Sequence, residues 1–259
     1  MPECLQLRHD GPVARVTLNR PQVRNAFDAE LIGELDSTFR DLHENAAVRA
    51  IVLDGAGKTF SGGADITWMR ASLELSDDEN VADATRMSAM FRAIDRCAKP
   101  VIAKIHGAAL GGGCGLAAVA DIAVAENDTI FGFTETKLGI IPAVISPFVI
   151  AKIGVSAARA LFLTGERFSA AHARDIGLIH HVAPADALDV RVDQIVSELL
   201  SAAPSAIAAA KQLIVDVAAA DYDATQSLTA RAIARQRTSI EGQEGLRAFL
   251  DRREPSWKR

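Results

Sequence analysis

The sequence predicts an α/β fold organised around parallel strands, and three observations carry that expectation. From the start to about residue 183, strand-like apolar runs alternate with amphipathic helical windows instead of occupying separate halves. Two of those runs end in glycine-rich turns, F-S-G-G-A-D-I (60–66) and H-G-A-A-L-G-G-G-C (106–114), each ahead of a helix-like segment. From about Pro184 onward strand signals stop, and alanine-rich windows such as S-A-I-A-A-A-K-Q-L-I follow.

Taken in order, Leu5–His9 and Val13–Asn19 flank D-G-P, which predicts a hairpin. Asp28 is placed to cap a helix whose Leu31, Leu35, Phe39 and Leu42 share one face. Arg49–Asp54 reads as a buried strand. Residues 72–96 carry S-D-D-E-N and read as a solvated helix, with a mobile lid as the alternative. Pro100 leads into the strand V-I-A-K-I, then the second glycine turn, a helix, and the strand I-A-V-A. The C-terminal helical faces fit either an internal core or an oligomer surface.

Composition narrows the function. Hydrophobic residues make up 49%, enough for a sizeable core, and 28 Lys+Arg stand against 33 Asp+Glu. That balance argues against a nucleic-acid backbone as the main partner and the 5% aromatics against a base-stacking platform, while leaving room for a local basic patch that meets a phosphorylated small molecule. The three cysteines form no C-x-x-C pair, and the six histidines show no metal-ligand spacing, so no metal site is expected. The apolar run near Ile102 is broken by Lys104 and His106, and that near Ile141 by Pro142 and Pro147. A reduced, cytoplasmic protein without a membrane span is expected.

Glycine inside a helix costs roughly 1 kcal/mol against alanine, so the run Gly111–Gly113, with Gly115, needs a reason. A strand, a glycine turn and a helix aim backbone N–H groups at an anion. The lysine and hydroxyl of a P-loop are missing, and the match to a dinucleotide fingerprint is poor. Close helix–strand packing is the alternative. Two such turns can supply two N–H groups to one oxygen. Asp65 can simply cap its helix. Glu135, in the apolar F-G-F-T-E-T-K-L-G-I-I-P, is an acid–base candidate or a partner of Lys137. Cys114 reads as a small buried apolar residue.

H-G-A-A-L-G-G-G-C, S-G-G-A-D-I, N-A-F, F-T-E-T-K-L-G-I-I-P and the ending E-G-L-R-A-F-L-D-R-R together resemble the crotonase superfamily, the enoyl-CoA hydratase/isomerase family. The resemblance implies a spiral of β-β-α units over residues 1–195 and a helical oligomerisation region over 196–259. It implies a homotrimer or dimer of trimers. The substrate it implies is an acyl thioester, with coenzyme A entering as part of it and no separate cofactor. The N–H groups of Ala64 and Gly112 would hold the thioester oxygen. Arg24, Ala26, Asp65, Ile66 and Gly111 would lie along coenzyme A, and Lys258 would reach coenzyme A on a neighbouring subunit.

The departures from the family pattern sharpen the reading. Hydratases of this family usually carry two glutamates, and Gly115 stands at the first position. Together with I-P-A-V-I-S-P-F-V, this resembles hydratases of branched, carboxylated substrates, the methylglutaconyl-CoA and isohexenylglutaconyl-CoA type. A substrate carboxylate could then hold water in the space that glycine leaves. A double-bond isomerase using Glu135 alone and a non-catalytic acyl-CoA-binding protein are the alternatives.

Overall fold

The chain opens as the expected hairpin, β1 (Leu5–Asp10) antiparallel to β2 (Val13–Leu18), with Gly11 at φ 57° in the turn. This computed structural model describes residues 4–258, so positions 1–3 and 259 of the expected domain limits lie outside it. Asp28 caps α1 (Ala29–Glu44) by accepting the Leu31 N–H at 2.9 Å, and the four expected apolar residues are buried. β3 (Ala50–Gly55) follows, then α2 (Ile66–Ala71) and α3 (Asp77–Asp95).

A second unit repeats the theme with β4 (Val101–Ile105), β5 (Ala108–Leu110) and α4 (Gly112–Val119). A third has β6 (Ile122–Glu126), β7 (Ile130–Gly132) and α5 (Ser146–Thr164), followed by β8 (Arg167–Ser169), α6 (Ala170–Asp175) and β9 (His181–Ala183). The larger sheet runs β1-β2-β3-β4-β6-β9 and is parallel except for the opening hairpin. A smaller sheet runs β5-β7-β8. Each turn of the spiral thus gives one strand to the large sheet, a short segment to the small layer, and a helix.

Both faces of the central strands are covered, which is why β3 and β4 read as continuous apolar runs. One face meets the main core of α1, α3, α4 and α5. The other meets α7 (Leu188–Ser201), whose Leu188, Val192, Ile195 and Val196 pack on Val52, Ile102 and Val124. The limit expected between 195 and 196 therefore falls inside a helix. Ile195 and Val196 belong to one buried cluster, so the helical extension begins after Ser201. It comprises α8 (Pro204–Ala219), α9 (Tyr222–Thr238) and α10 (Ile240–Leu250), with no buried residue in α8 or α9. α5 has the length and apolarity of a membrane span. Val149, Ile153, Ala158 and Leu161 turn part of that apolarity into the core, and the helix breaks at Gly154.

The polar stretch before β4 is α3, opened by a capping box of Ser76 and Glu79. Its first half is solvated, as expected. Its second half is core, since Met90, Phe91 and Ile94 are buried.

Asn25 of N-A-F ties the first unit together. It is fully buried at φ 53°, accepts the Arg20 N–H at 2.8 Å and donates to the carbonyls of Ala56 and Thr59 at 2.9 and 2.7 Å. Each stranded buried group costs about 1–3 kcal/mol. Asn25→Ala is expected to lower stability by about 2–4 kcal/mol, read from the urea midpoint. A variant as stable as wild type would contradict this clamp.

Candidate active site

The small layer brings three segments side by side. Ser61 bridges to Ala109 in parallel, and Ala109 pairs with Phe131 in the parallel β5–β7 ladder. Counting forward from that row, Ala64 and Gly112 lie three residues on, and Glu135 lies four. Ala64, Gly112 and Glu135 consequently line one cavity of about 390 Å³, together with Gly111. Its remaining walls come mostly from α3 and the apolar segment Leu138–Ile145.

Backbone hydrogen bonds fix where two peptides point. The Gly63 carbonyl accepts the Phe27 N–H at 2.7 Å. In a trans peptide the C=O and the next N–H point in opposite directions, so the Ala64 N–H is turned away from Phe27. The Gly111 carbonyl accepts the Gly115 N–H at 3.1 Å as the first bond of α4, so the Gly112 N–H points out of that helix's N-terminus. Neither N–H meets a protein acceptor among the described residues. Gly111 itself has φ 50° and ψ −115°, a conformation open only to glycine. A Cβ there would stand 3.1 Å from Oε1 of Glu135 and 3.9 Å from the Gly63 Cα. The two turns and the acid therefore converge.

Glu135 opens a short 3₁₀ turn, Glu135–Leu138, held by the Thr136 hydroxyl donating to the Phe162 carbonyl at 2.9 Å. Its Oε2 is buried without a hydrogen-bond partner among the described residues, Lys137 included. Burial raises its carboxyl above the ordinary carboxylate range, opposed in part by its own backbone N–H. A half-buried acid with one unpartnered oxygen beside two outward-facing N–H groups is equipped to pass a proton to a group held there.

Gly115 does not leave open space. A Cβ at that position would come within 2.5 Å of Ile145 Cγ2 and 2.8 Å of Phe91 Cζ. The site expected for a second glutamate, or for water, is filled by those two side chains, and Gly115 is absent from the cavity wall. The glycine is there for helix packing. Gly113, whose Cβ would sit 2.8 Å from the Ser61 carbonyl, is there for the same reason.

Arg24, Ala26, Asp65, Ile66 and Lys258 also lie outside the cavity lining. Arg24 is exposed and its carbonyl accepts the Gly62 N–H at 2.8 Å. Ala26 is 6% exposed, with its carbonyl taken by the Arg20 guanidinium. The Asp65 carboxylate caps α2 through Thr67 at 2.8 Å and pairs with Arg20 at 3.2 Å. Ile66 is exposed beside it. Lys258 pairs with Glu254 at 3.2 Å next to Trp257. Cys114 is fully buried, its Sγ donating to the Ala109 carbonyl at 2.9 Å. Asp83 of α3, which the charge run concealed, does line the cavity.

The model for enoyl-CoA hydratase/isomerase matches residues 8–259, and the chain belongs to that family. It is similar to the short-chain-enoyl-CoA hydratase of Clostridium acetobutylicum, at 31% identity over 95% of this chain and 94% of the relative. Among solved structures it resembles an enoyl-CoA hydratase from Shewanella pealeana (TM-score 0.95, 38% identity, 98% and 96% of the two chains). It also resembles Pseudomonas aeruginosa AtuE (TM-score 0.96, 37% identity, 99% and 100%). The architecture is thus the crotonase fold, and the family is one of enoyl-CoA enzymes.

The buried acid has a stability signature. Its folded pKa lies above the unfolded value, so the native state binds the extra proton and stability falls as pH rises through that window. Glu135→Gln is expected to melt higher than wild type at pH 7, with the gap closing below the ordinary carboxylate range. A variant less stable at pH 7 would show a paired, stabilising carboxylate instead.

Proposed function

We propose that the protein is a hydratase that adds water across the 2,3-double bond of an enoyl-CoA. The observation that carries this reading is the unpartnered Oε2 of Glu135 beside the two outward-facing peptides. Ala64 and Gly112 donate their N–H groups to the thioester oxygen, where charge develops as the double bond is attacked. Glu135, kept protonated more readily by burial, delivers the proton to the α-carbon. The addition is redox-neutral, and coenzyme A enters as part of the substrate, passing over the outer surface near Arg24, Ala26 and Ile66.

The acyl tail we propose is uncharged. Trp68, Met69, Met87, Ile141 and Val144 supply an apolar wall. The only titratable groups lining the cavity among the described residues are two acids, Asp83 and Glu135. A carboxylated tail, expected from the resemblance at 139–149, would carry its charge into an acidic, partly dry site with no cation to meet it. The crowding of Phe91 and Ile145 against Gly115 also favours a neutral tail over a carboxylate seated there.

The isomerase reading is favoured by one observation: position 115 supplies no second acid, and shifting a double bond needs only one. A panel of neutral and carboxylated enoyl-CoAs in deuterated water separates the two. Hydration predicts a β-hydroxy product from neutral tails; migration of the double bond without added water would establish the isomerase. Under either chemistry, Glu135→Gln is expected to lower turnover by about 10²–10⁴-fold with little change in affinity. A pure binding protein would turn over nothing in wild type.

We also propose a homotrimer or dimer of trimers built through the helical extension. Ile214 of α8 and Ile240, Leu246, Phe249 and Leu250 of α10 are large apolar side chains left exposed on that extension, and burying them against further copies supports this reading. Sedimentation equilibrium should return three or six chains, and a monomer at micromolar concentration would refute this.

A further inference from the structure

If water is added, something must hold it and take its proton. The position where family hydratases place that group is closed by Phe91 and Ile145, and a side chain there has no room. Among the described residues, the cavity has one titratable group besides Glu135, and it is Asp83.

Asp83 reaches the cavity through the register of α3. Asn80, Asp83, Ala84 and Met87 form the wall, and Phe91 continues the same stripe over Gly115. Met87 abuts the proposed oxyanion turn, its Cε 3.1 Å from where a Gly112 Cβ would stand. Asp83 lies one helical turn before Met87, roughly 6 Å along the axis. Its side chain is only 13% exposed, and its Oδ1 accepts from Arg86 at 2.8 Å. Oδ2 takes no hydrogen bond from the described residues, yet it is not among the sealed, orphaned atoms. An oxygen in that state is free to bind water.

We propose that Asp83 holds the attacking water and accepts its proton, completing a two-acid site in which α3 supplies what α4 lacks. This rests on the hydratase reading. The water oxygen bonds to the β-carbon as its proton passes to the Asp83 carboxylate. The π pair moves toward the α-carbon and thioester oxygen, the charge is held by the Ala64 and Gly112 N–H groups, and Glu135 gives its proton to the α-carbon. One water is added. Asp83 ends protonated and Glu135 ionised, and solvent exchange restores both.

The bland account of Asp83 is a helix-surface ion pair with Arg86, which is 61% exposed and worth little by itself. Asp83→Asn and Arg86→Ala, compared with wild type on a neutral enoyl-CoA, separate the two. Two rates are read: hydration, and deuterium exchange at the α-carbon of a saturated acyl-CoA, which needs Glu135 and the oxyanion hole but no attacking water. The expected result is that Asp83→Asn loses at least about 10²-fold in hydration while exchange stays within about threefold of wild type. Arg86→Ala should retain most of both rates, because an exposed pair contributes little. Hydration by Asp83→Asn at the wild-type rate would overturn the proposal. So would parallel loss of both rates in both variants, which marks a structural ion pair. A wild type that moves the double bond without adding water would overturn the hydratase reading and Asp83's role with it.

Discussion

The hydrogen bond from the Phe27 N–H to the Gly63 carbonyl determines the direction of the Ala64 peptide, and the proposed chemistry depends on that direction. A peptide plane cannot turn its carbonyl one way and the following N–H the same way. Pinning the carbonyl therefore aims the N–H, at no cost in side-chain entropy. The first bond of α4, from Gly115 to the Gly111 carbonyl, does the same for Gly112. The parallel row Ser61–Ala109–Phe131 then sets both peptides and Glu135 at one level.

Bringing those segments so close requires backbone without side chains. Every residue of α4 is buried, so its neighbours press in from all sides. Phe27 and Met87 occupy the space beside Gly112, Ser61 that beside Gly113, and Phe91 and Ile145 that beside Gly115. The far end of the helix is held by Lys152, whose ammonium donates to the carbonyls of Ala117 and Ala120 at 3.3 and 2.6 Å. A cation there complements the helix dipole whose positive end faces the cavity. Burial lowers that ammonium to about 8, against the pull of Asp121 and Asp95. The helix's intrinsic penalty for glycine is offset by packing that no larger residue permits.

Much of this was legible in the sequence because it depends on local patterns. The D-G-P turn, the Asp28 cap, the alternation of strands and helices, and the two glycine turns are all written in short windows. Glu135 stood out because it is an acid in an apolar run. What the windows could not show was which distant side chain fills a given gap. Phe91 and Ile145 meet at Gly115 only through tertiary packing, so a missing side chain there read as open space. The position of 195 within a helix was hidden likewise, since α7 packs on the sheet rather than with the helices after it. Asp83 was readable in principle. The spacing Asp83–Met87–Phe91 places it on one stripe with two core-facing residues, but the surrounding S-D-D-E-N charge masked that period.

The proposed division of labour puts two peptides on the oxygen, one acid on the α-carbon and an apolar wall around the tail. The most direct test is a crystal structure of the protein with a neutral 3-hydroxyacyl-CoA product bound. The thioester oxygen is expected roughly 2.7–3.1 Å from both the Ala64 and Gly112 nitrogens, with a Glu135 oxygen facing the α-carbon. A thioester oxygen bound away from those two nitrogens in a productive complex would contradict the assignment.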